Sequence, residues 1–235
     1  MIFKKLRDFF SISNLYYKAI SLFRLVKTNL NKLISNVYEE IVCFILRRTN
    51  LNKVGEYGYT QLYSAIKEEK NYKKAIRLIK GGADINVVDY RGFTPLHRAA
   101  QYGQCEVAYW LIKKKADINV GNESGFTPLH MAIVFKQYEV MCFLIENGAG
   151  VNVTDKEGHT SLHFAFRRPK MLYWLIKKGA DVNHADKYGY TPLNLAVSSS
   201  QYESICLLIE NGADVNTIDE TGKHCESNAK SKSPR

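Results

Sequence analysis

The sequence predicts an all-α solenoid of repeated helix-turn-helix-hairpin units, and two periodic signals support this prediction. A glycine that opens each unit recurs at positions 58, 92, 125, 158, 189 and 222, with spacings of 34, 33, 33, 31 and 33 residues. An asparagine that closes each unit recurs at positions 86, 119, 152, 183 and 216. A fixed period near 33 residues indicates a stack in which each unit buries its apolar face against its neighbours.

One unit can be followed along residues 92–125. Thr94 precedes Pro95, so a capping hydroxyl is followed by a proline at the first helical position, where its missing N–H costs nothing. This first helix has one small apolar face and ends near Gly103. A second helix follows, with larger apolar residues at 107–112. An Asx-type turn that ends in glycine then joins the unit to the next one.

Residues 1–55 precede the repeats and form a basic amphipathic helical segment. They hold ten Lys/Arg against three Asp/Glu, a net charge of +7, whereas residues 56–216 hold nineteen against seventeen. Apolar residues recur in steps of three and four from Ala19 to Phe44. Three interpretations of residues 1–46 stay open: a cap on the stack, a helix on an anionic membrane surface, or pairing with another helix.

The repeats depart from regularity in ways that predict local structure. The fourth is two residues short, which predicts a tighter turn between its helices, with Arg167 and Arg168 exposed. Lys115 stands where most other units have glycine, which predicts a strained left-handed residue there. A partial sixth unit and a polar tail occupy 217–235, and we expect the tail to be disordered. The five complete units are 56–86, 87–119, 120–152, 153–183 and 184–216.

These motifs resemble the ankyrin repeat family. Its first-helix signature is matched by Thr94-Pro95-Leu96-His97 and by the equivalent residues at 127–130, 160–163 and 191–194, and its second-helix end by Gly82-Ala83-Asp84 and Gly179-Ala180-Asp181. The resemblance covers roughly residues 56–223 and implies a non-enzymatic protein that binds another protein through its concave face.

A bias towards Lys, Ile, Asn and Tyr resembles ankyrin proteins of intracellular bacteria and large DNA viruses. This likeness implies an intracellular, cytoplasmic protein, with a host protein as one candidate partner and delivery into a host cell as one route. The five cysteines have no paired short spacing, and free thiols also favour a reducing compartment.

The family resemblance places the concave face on the hairpin tips, on the residue after each turn glycine and on the ends of the first helices. We expect partner contacts from aromatic and arginine side chains, which dominate interface energetics. For Phe93 and Phe126 the alternative stays open that the rings pack along the hairpins. The predicted contact residues are Tyr57, Tyr59, Tyr90, Arg91, Phe93, Tyr102, Phe126, Phe135, Arg167, Arg168, Tyr188 and Tyr190.

No pattern predicts catalysis, a metal site or a cofactor. His97, His130 and His163 recur at one position of the first helix, which indicates that they tie neighbouring repeats by hydrogen bonds. The glycines follow the repeat period instead of forming a phosphate-binding loop. No apolar run is long enough to span a membrane, and the positive charge forms no nucleic-acid-binding motif. The alternative function is peripheral membrane attachment through residues 1–46.

Overall fold

The computed structural model describes residues 24, 26–43, 51–68 and 72–217. The chain divides into two compact units, residues 1–49 and 50–235, and each is considered by itself. The predictions for the rest of residues 1–46, for the partial sixth repeat beyond Thr217 and for the polar tail lie outside the described residues.

In the first unit, residues 26–43 form one helix, α1. The amphipathic pattern therefore predicted the right secondary structure in this part of the segment. Large apolar side chains recur at helical spacing along α1 and are 48–59% exposed, so the helix presents an apolar surface to solvent. These side chains are Val26, Leu30, Leu33, Ile34, Val37, Tyr38 and Ile41.

The described residues of the second unit form five helix pairs, preceded by a short 3-10 turn at Glu56–Gly58. First helices pack on first helices and second helices on second helices, which gives two layers. No strand is present in the described residues, and the all-α prediction is confirmed. The pairs are α2 (Gln61–Lys67) with α3 (Tyr72–Gly81), α4 (Pro95–Gln101) with α5 (Cys105–Lys113), α6 (Pro128–Val134) with α7 (Tyr138–Glu146), α8 (Ser161–Ala165) with α9 (Pro169–Lys177), and α10 (Pro192–Ser198) with α11 (Tyr202–Glu210).

Most first helices begin as the Thr-Pro motif predicts. The hydroxyl of Thr94 accepts a hydrogen bond from the backbone N–H of His97, and Nδ1 of His97 accepts one from the backbone N–H of Thr94 at 3.0 Å. This reciprocal capping box satisfies two backbone donors that the helix cannot satisfy itself. The same box starts α6, α8 and α10, at Thr127, Thr160 and Thr191.

The three repeated histidines tie each repeat to the next, as predicted. His97, His130 and His163 are buried, and Nε2 of each lies 2.7–3.1 Å from a backbone carbonyl in the following hairpin. Because Nδ1 accepts from a backbone N–H, the ring proton is on Nε2, which donates to that carbonyl. Burial lowers the pKa of each histidine to about 4, so all three are neutral at pH 7.

The first and fifth repeats each keep one of the two histidine bonds with another residue: the first keeps the bond to the next hairpin, and the fifth keeps the capping bond. The hydroxyl of Tyr63 in α2 donates to the carbonyl of Phe93. Phe93 corresponds in the repeat to Phe126, whose carbonyl accepts from His97. Burial raises the pKa of Tyr63, so the hydroxyl keeps its proton. In α10, Oδ1 of Asn194 accepts from the backbone N–H of Thr191 at 2.7 Å, as the histidine Nδ1 does elsewhere.

The closing asparagines make a second series of bonds between repeats, which we call the asparagine ladder. Oδ1 of Asn119 accepts from the backbone N–H of Gly150 at 2.8 Å, and Nδ2 donates to the carbonyl of Gly148 at 3.4 Å. Asn152 and Asn183 make the same pair of bonds one and two repeats further on.

Asn52 belongs to the same series. Its Oδ1 accepts from the backbone N–H of Asp84 at 2.8 Å. Asn119 makes the same bond to Gly150, which occupies the place of Asp84 in a later repeat. Asn52 also lies 34 residues before Asn86, so it is in phase with the other closing asparagines. The ladder therefore begins before residue 56, where we placed the first repeat.

The fourth repeat is shortened in its first helix, and its turn keeps the same number of residues. The turn is nevertheless closed more tightly, as expected: the N–H of Arg168 donates to the carbonyl of Ala165, three residues back, whereas in the third repeat the N–H of Gln137 donates to the carbonyl of Ala132, five residues back. Helix α8 has five residues, whereas α6 has seven. The number of residues from the C-cap of the first helix to the start of the second helix is the same in both repeats. It runs from Phe166 to Pro169 in the fourth and from Phe135 to Tyr138 in the third. The packing of the second helix needs a turn of fixed length, and the helix absorbs the deletion.

Lys115 adopts the predicted left-handed conformation, with φ 72°. The equivalent glycines in the other repeats have φ between 86° and 98°. A side chain at such a φ crowds the backbone, whereas glycine does not. The C-terminal end of α5 is therefore strained at Lys115. The equivalent residues without this strain are Gly82, Gly148, Gly179 and Gly212.

Candidate functional site

The predicted contact residues lie on what we call the first-helix face, which comprises the first helices, their C-terminal ends and the hairpin tips. The tips of repeats two to five are each held by one side chain that accepts two backbone N–H bonds. Oδ1 of Asp155, for example, accepts from the N–H groups of Glu157 and His159 at 2.9 and 2.8 Å. The tips are thus fixed Asx turns. The same pair of bonds is made by Asp89, Asn122 and Asp186.

Neighbouring tips are joined by backbone hydrogen bonds, and their side chains point outward. The N–H of Lys156 donates to the carbonyl of Ser124, and that of Lys187 to the carbonyl of Glu157, both at 2.9 Å. The rings of two tip tyrosines lie 5.8 Å apart, and a third, Tyr188, donates its hydroxyl to Glu157 at 2.9 Å. The exposed predicted residues here are Tyr57, Tyr90, Arg91 and Tyr188.

The residues after the turn glycines divide into exposed and packed side chains. Phe93 is only 8% exposed, and the guanidinium of Arg98 lies 4.3 Å from its ring centre. Phe126 is half-buried, with its ring 5.1 Å from that of Phe164. Both phenylalanine rings therefore pack against neighbouring side chains, which is the alternative to partner contact that we left open for them. Phe93 has almost no exposed surface for a partner. Of the other predicted residues, Tyr59 is exposed and Tyr190 is half-buried.

His159 occupies the same position in the fourth repeat and bridges two hairpins. Its Nδ1 lies 3.0 Å from a carboxylate oxygen of Asp155, and its Nε2 lies 3.3 Å from one of Asp186. This histidine is therefore a link between neighbouring turns. Within the described residues, no three His, Cys, Asp or Glu side chains are grouped so that they could hold a metal ion.

Aromatic residues cap the C-terminal ends of three consecutive first helices. Tyr102 caps α4, Phe135 caps α6 and Phe166 caps α8. Phe135 is 43% exposed, and the other two are half-buried. Phe166 was not among the predicted contact residues, because the two-residue deletion of the fourth repeat was placed after Phe166 instead of before it. The constant number of residues between each C-cap and the following second helix would have identified Phe166.

The structure exposes Arg167 but not Arg168, which corrects half of our expectation. Arg167 is exposed, with its guanidinium 5.2 Å from the ring of Phe166. Arg168 is half-buried and donates to the carbonyls of Phe164 and Val134 at 2.8 and 3.1 Å. It holds two repeats together, so little of its guanidinium is left for a partner.

A column of glutamines explains the position of Arg168. Gln104 donates from Nε2 to the carbonyl of Ile66 at 2.7 Å, and Gln137 donates to the carbonyl of Gln101 at 3.3 Å. In both cases the acceptor lies at the end of the preceding first helix. Arg168 takes this place in the fourth repeat, at the same N-cap position of the second helix.

A cleft of about 470 Å³ opens on the first-helix face of the first two repeats. Two predicted contact residues, Tyr59 and Tyr102, line it, and its polar groups come mainly from α2 and α4. A larger cleft of about 620 Å³ lies in the second-helix layer between α9 and α11, and it contains none of the predicted residues. The first cleft is lined by Tyr59, Tyr63, Ser64, Lys67, Glu68, Arg98 and Tyr102.

A family model described as ankyrin repeats matches the chain in three overlapping copies, at residues 30–122, 77–155 and 129–219. These matches span most of the chain. The chain belongs to the ankyrin repeat family. The first match begins at residue 30, inside α1, so the similarity reaches further towards the N-terminus than our motif comparison did. A search of curated protein sequences returned no match.

Ankyrin repeats generally mediate protein–protein interaction and are typically not enzymes. Among the described residues of this ankyrin repeat protein, no helix is both long and apolar enough to cross a bilayer. The first-helix face described above is the face that is concave in the family, and it brings together most of the predicted contact residues.

Proposed function

We propose that this ankyrin repeat protein is non-enzymatic and binds another protein through its first-helix face. The observation that carries the proposal is the combination of exposed aromatic and arginine side chains with a scaffold fixed by buried hydrogen bonds. A preorganised surface loses little conformational entropy on binding, and aromatic and arginine side chains supply most interface energy. The proposed contacts are Tyr57, Tyr59, Tyr90, Arg91, Tyr102, Phe126, Phe135, Phe166, Arg167, Tyr188 and Tyr190.

Affinity capture from a cell lysate tests this proposal. We expect the intact chain to retain a protein that the variant Tyr90→Ala/Tyr102→Ala/Phe135→Ala loses. The matched control removes three tyrosines of the second-helix layer that are 42–49% exposed, and it should retain the same protein. Loss by the control, or retention by all three proteins, would place binding elsewhere. The control substitutions are Tyr109→Ala, Tyr138→Ala and Tyr173→Ala.

We further propose an intracellular, cytoplasmic setting, with a host-cell protein as the candidate partner. Free thiols support this part, because the cysteines of the described residues form no disulfide. Imaging of the tagged full chain in host cells, combined with the capture above, tests it; a tag confined to a secretory compartment would contradict it. The free cysteines are Cys43, Cys105, Cys142 and Cys206.

A second candidate function is attachment to an anionic membrane surface, and the exposed apolar stripe of α1 favours it. Basic residues outnumber acidic ones ten to three in residues 1–55, which suits anionic lipid. Co-sedimentation with phosphatidylserine vesicles should fall strongly in Leu30→Glu/Leu33→Glu. Equal partitioning of this variant and the intact chain would exclude the stripe as an anchor.

A further inference from the structure

In repeats two to five, the first helices and the turns that follow them differ from the hairpin tips and the second helices in that they carry no negative charge. They contain no Asp or Glu over residues 94–104, 127–137, 160–168 and 191–201. The second helices, in contrast, carry Glu106, Glu139, Glu146, Glu203 and Glu210. The hairpin tips carry both signs.

Two cations remain available at the first-helix ends. Arg98 is paired with Asp89, and Arg168 is held by two backbone carbonyls. Lys136 and Arg167 are exposed, and neither has a carboxylate partner among the described residues. They lie in the turns directly after the aromatic C-caps, and the guanidinium of Arg167 lies 5.2 Å from the ring of Phe166.

We propose that the aromatic C-cap row of Tyr102, Phe135 and Phe166, together with Lys136 and Arg167, binds an acidic segment of the partner protein. The inference rests on the proposed function and specifies the chemistry of the partner. Charge complementarity selects an acidic segment at Phe135 and Phe166, because a basic one would meet the like charges of Lys136 and Arg167 there. Beside Tyr102, Glu68 lines the same cleft, so the acidic residues of the partner belong at the other end of the row. The aromatic rings supply contact area for apolar residues between the acidic ones.

The geometry of the row also specifies the spacing in the partner. The axes of adjacent packed helices lie about 8–10 Å apart, and we take this as the approximate spacing of successive C-caps. A polyproline II chain rises about 3.1 Å per residue and brings every third residue to the same side, about 9 Å apart. A partner segment with an apolar residue at every third position and acidic residues between therefore matches the row.

Fluorescence anisotropy with labelled peptides tests the proposal. The probe is (Glu-Glu-Phe)₄, with (Gln-Gln-Phe)₄ and (Lys-Lys-Phe)₄ as matched peptides and a single-stranded oligonucleotide of equal charge as a polyanion control. We expect the full chain to bind the glutamate peptide at least tenfold more tightly than the other three probes. Equal binding of the lysine peptide or the oligonucleotide would overturn the proposal, as would failure of the intact chain to bind the glutamate peptide.

Charge reversal locates the site. Lys136→Glu/Arg167→Glu should weaken binding of the glutamate peptide at least tenfold, because it replaces the two free cations with like charge. The control Lys113→Glu/Lys177→Glu makes the same change of net charge in the second-helix layer and should alter binding less than twofold. Equal loss in both variants would overturn the site.

The capture experiment separates this inference from the proposed function. Suppose that the captured protein is lost by Tyr90→Ala/Tyr102→Ala/Phe135→Ala but retained by Lys136→Glu/Arg167→Glu. The proposed function would then stand and the acidic segment would be excluded. If the triple variant retained every protein that the intact chain captures, the proposed function itself would fail.

Discussion

The third and fourth repeats differ by two residues and yet make the same bonds to their neighbours. Both first helices begin with a threonine capping box, and both histidines reach a carbonyl of the next hairpin, His130 at 3.1 Å and His163 at 3.0 Å. Both first helices end in an aromatic C-cap. The groups that join repeats thus lie at the two ends of the first helix, and its length between them can vary.

The largest expected effect is a loss of stability in acid, shared by the buried histidines of both repeats. The pKa of each is lowered from 6.5 to about 4, so the unfolded chain binds protons first as the pH falls. Stability is therefore full above about pH 6.5 and is lost as the pH falls towards 4, by about 2 kcal/mol per histidine at pH 5. Urea unfolding between pH 7.5 and 5 measures this slope.

A variant with His97→Asn, His130→Asn and His163→Asn is the control for that slope. Asparagine keeps the capping bond, as Asn194 does in the fifth repeat, but it does not titrate. The pH dependence between 7.5 and 5 should become nearly flat. An unchanged slope would show that other groups cause the loss.

Removal of one histidine should have the next largest effect. His130→Ala leaves the N–H of Thr127 and the carbonyl of Val153 buried without partners, together with a cavity, which costs about 3 kcal/mol. Urea unfolding should give a similar value for His163→Ala, if the shortened helix depends on its ends as the longer one does. A much smaller cost for His163→Ala would show that the fourth repeat is held in another way.

His130→Asn sharpens this comparison. It should cost less than His130→Ala, because the amide oxygen can accept from the backbone of the threonine cap. Identical costs for the two variants would contradict the role we assign to Nδ1.

Arg168→Gln should restore the residue type of the neighbouring repeats and stabilise the fourth. Nε of Arg168 is buried without a hydrogen-bond partner, whereas a glutamine amide could donate to the same carbonyl of Val134. Relief of this unpaired donor is worth at most about 1 kcal/mol, because Oε1 of Gln104, at the same place, is itself buried without a partner. Thermal unfolding measures the gain, and a loss of stability would show that the second bond, to Phe164, matters more.

The smallest expected effect concerns the left-handed residue of the second repeat. Lys115→Gly relieves backbone strain but adds freedom to the unfolded chain, for a net gain of about 0.5 kcal/mol. Lys114→Gly next to it, at φ −87°, gains nothing and should destabilise the chain. Chemical unfolding of both variants checks the sign, which should be opposite.

Most of the fold could be predicted because its determinants are local and periodic. The Thr-Pro caps, the histidines and the turn glycines each depend on residues within one repeat, so a single sequence shows them. The deletion could not be placed, because residues 164–168 carry no cap or turn signature that separates helix from turn. The repeat period places Tyr63 at the position of His97, but its bond to the next hairpin could not be predicted, since it depends on how far a hydroxyl reaches in three dimensions.

The candidate surface was predicted less completely than the fold. The family resemblance implied which positions belong to the binding face but not how much surface each side chain keeps. The side chain of Arg98 covers Phe93, and the guanidinium of Arg168 makes hydrogen bonds between repeats. Neither outcome follows from the sequence, because both depend on contacts between side chains of different elements.

The asparagine ladder has a consequence for how this sequence can diverge over generations. Each asparagine bonds to main-chain groups of the next repeat, such as the N–H of Gly150 and the carbonyl of Gly148. Every amino acid other than proline supplies both groups, so a substitution at the receiving position leaves the bond intact. Gly150 stands where the other repeats have aspartate, and the bond is still formed. Selection therefore needs to conserve the asparagine of each junction, whereas the residue whose N–H it binds, such as Gly150, can change.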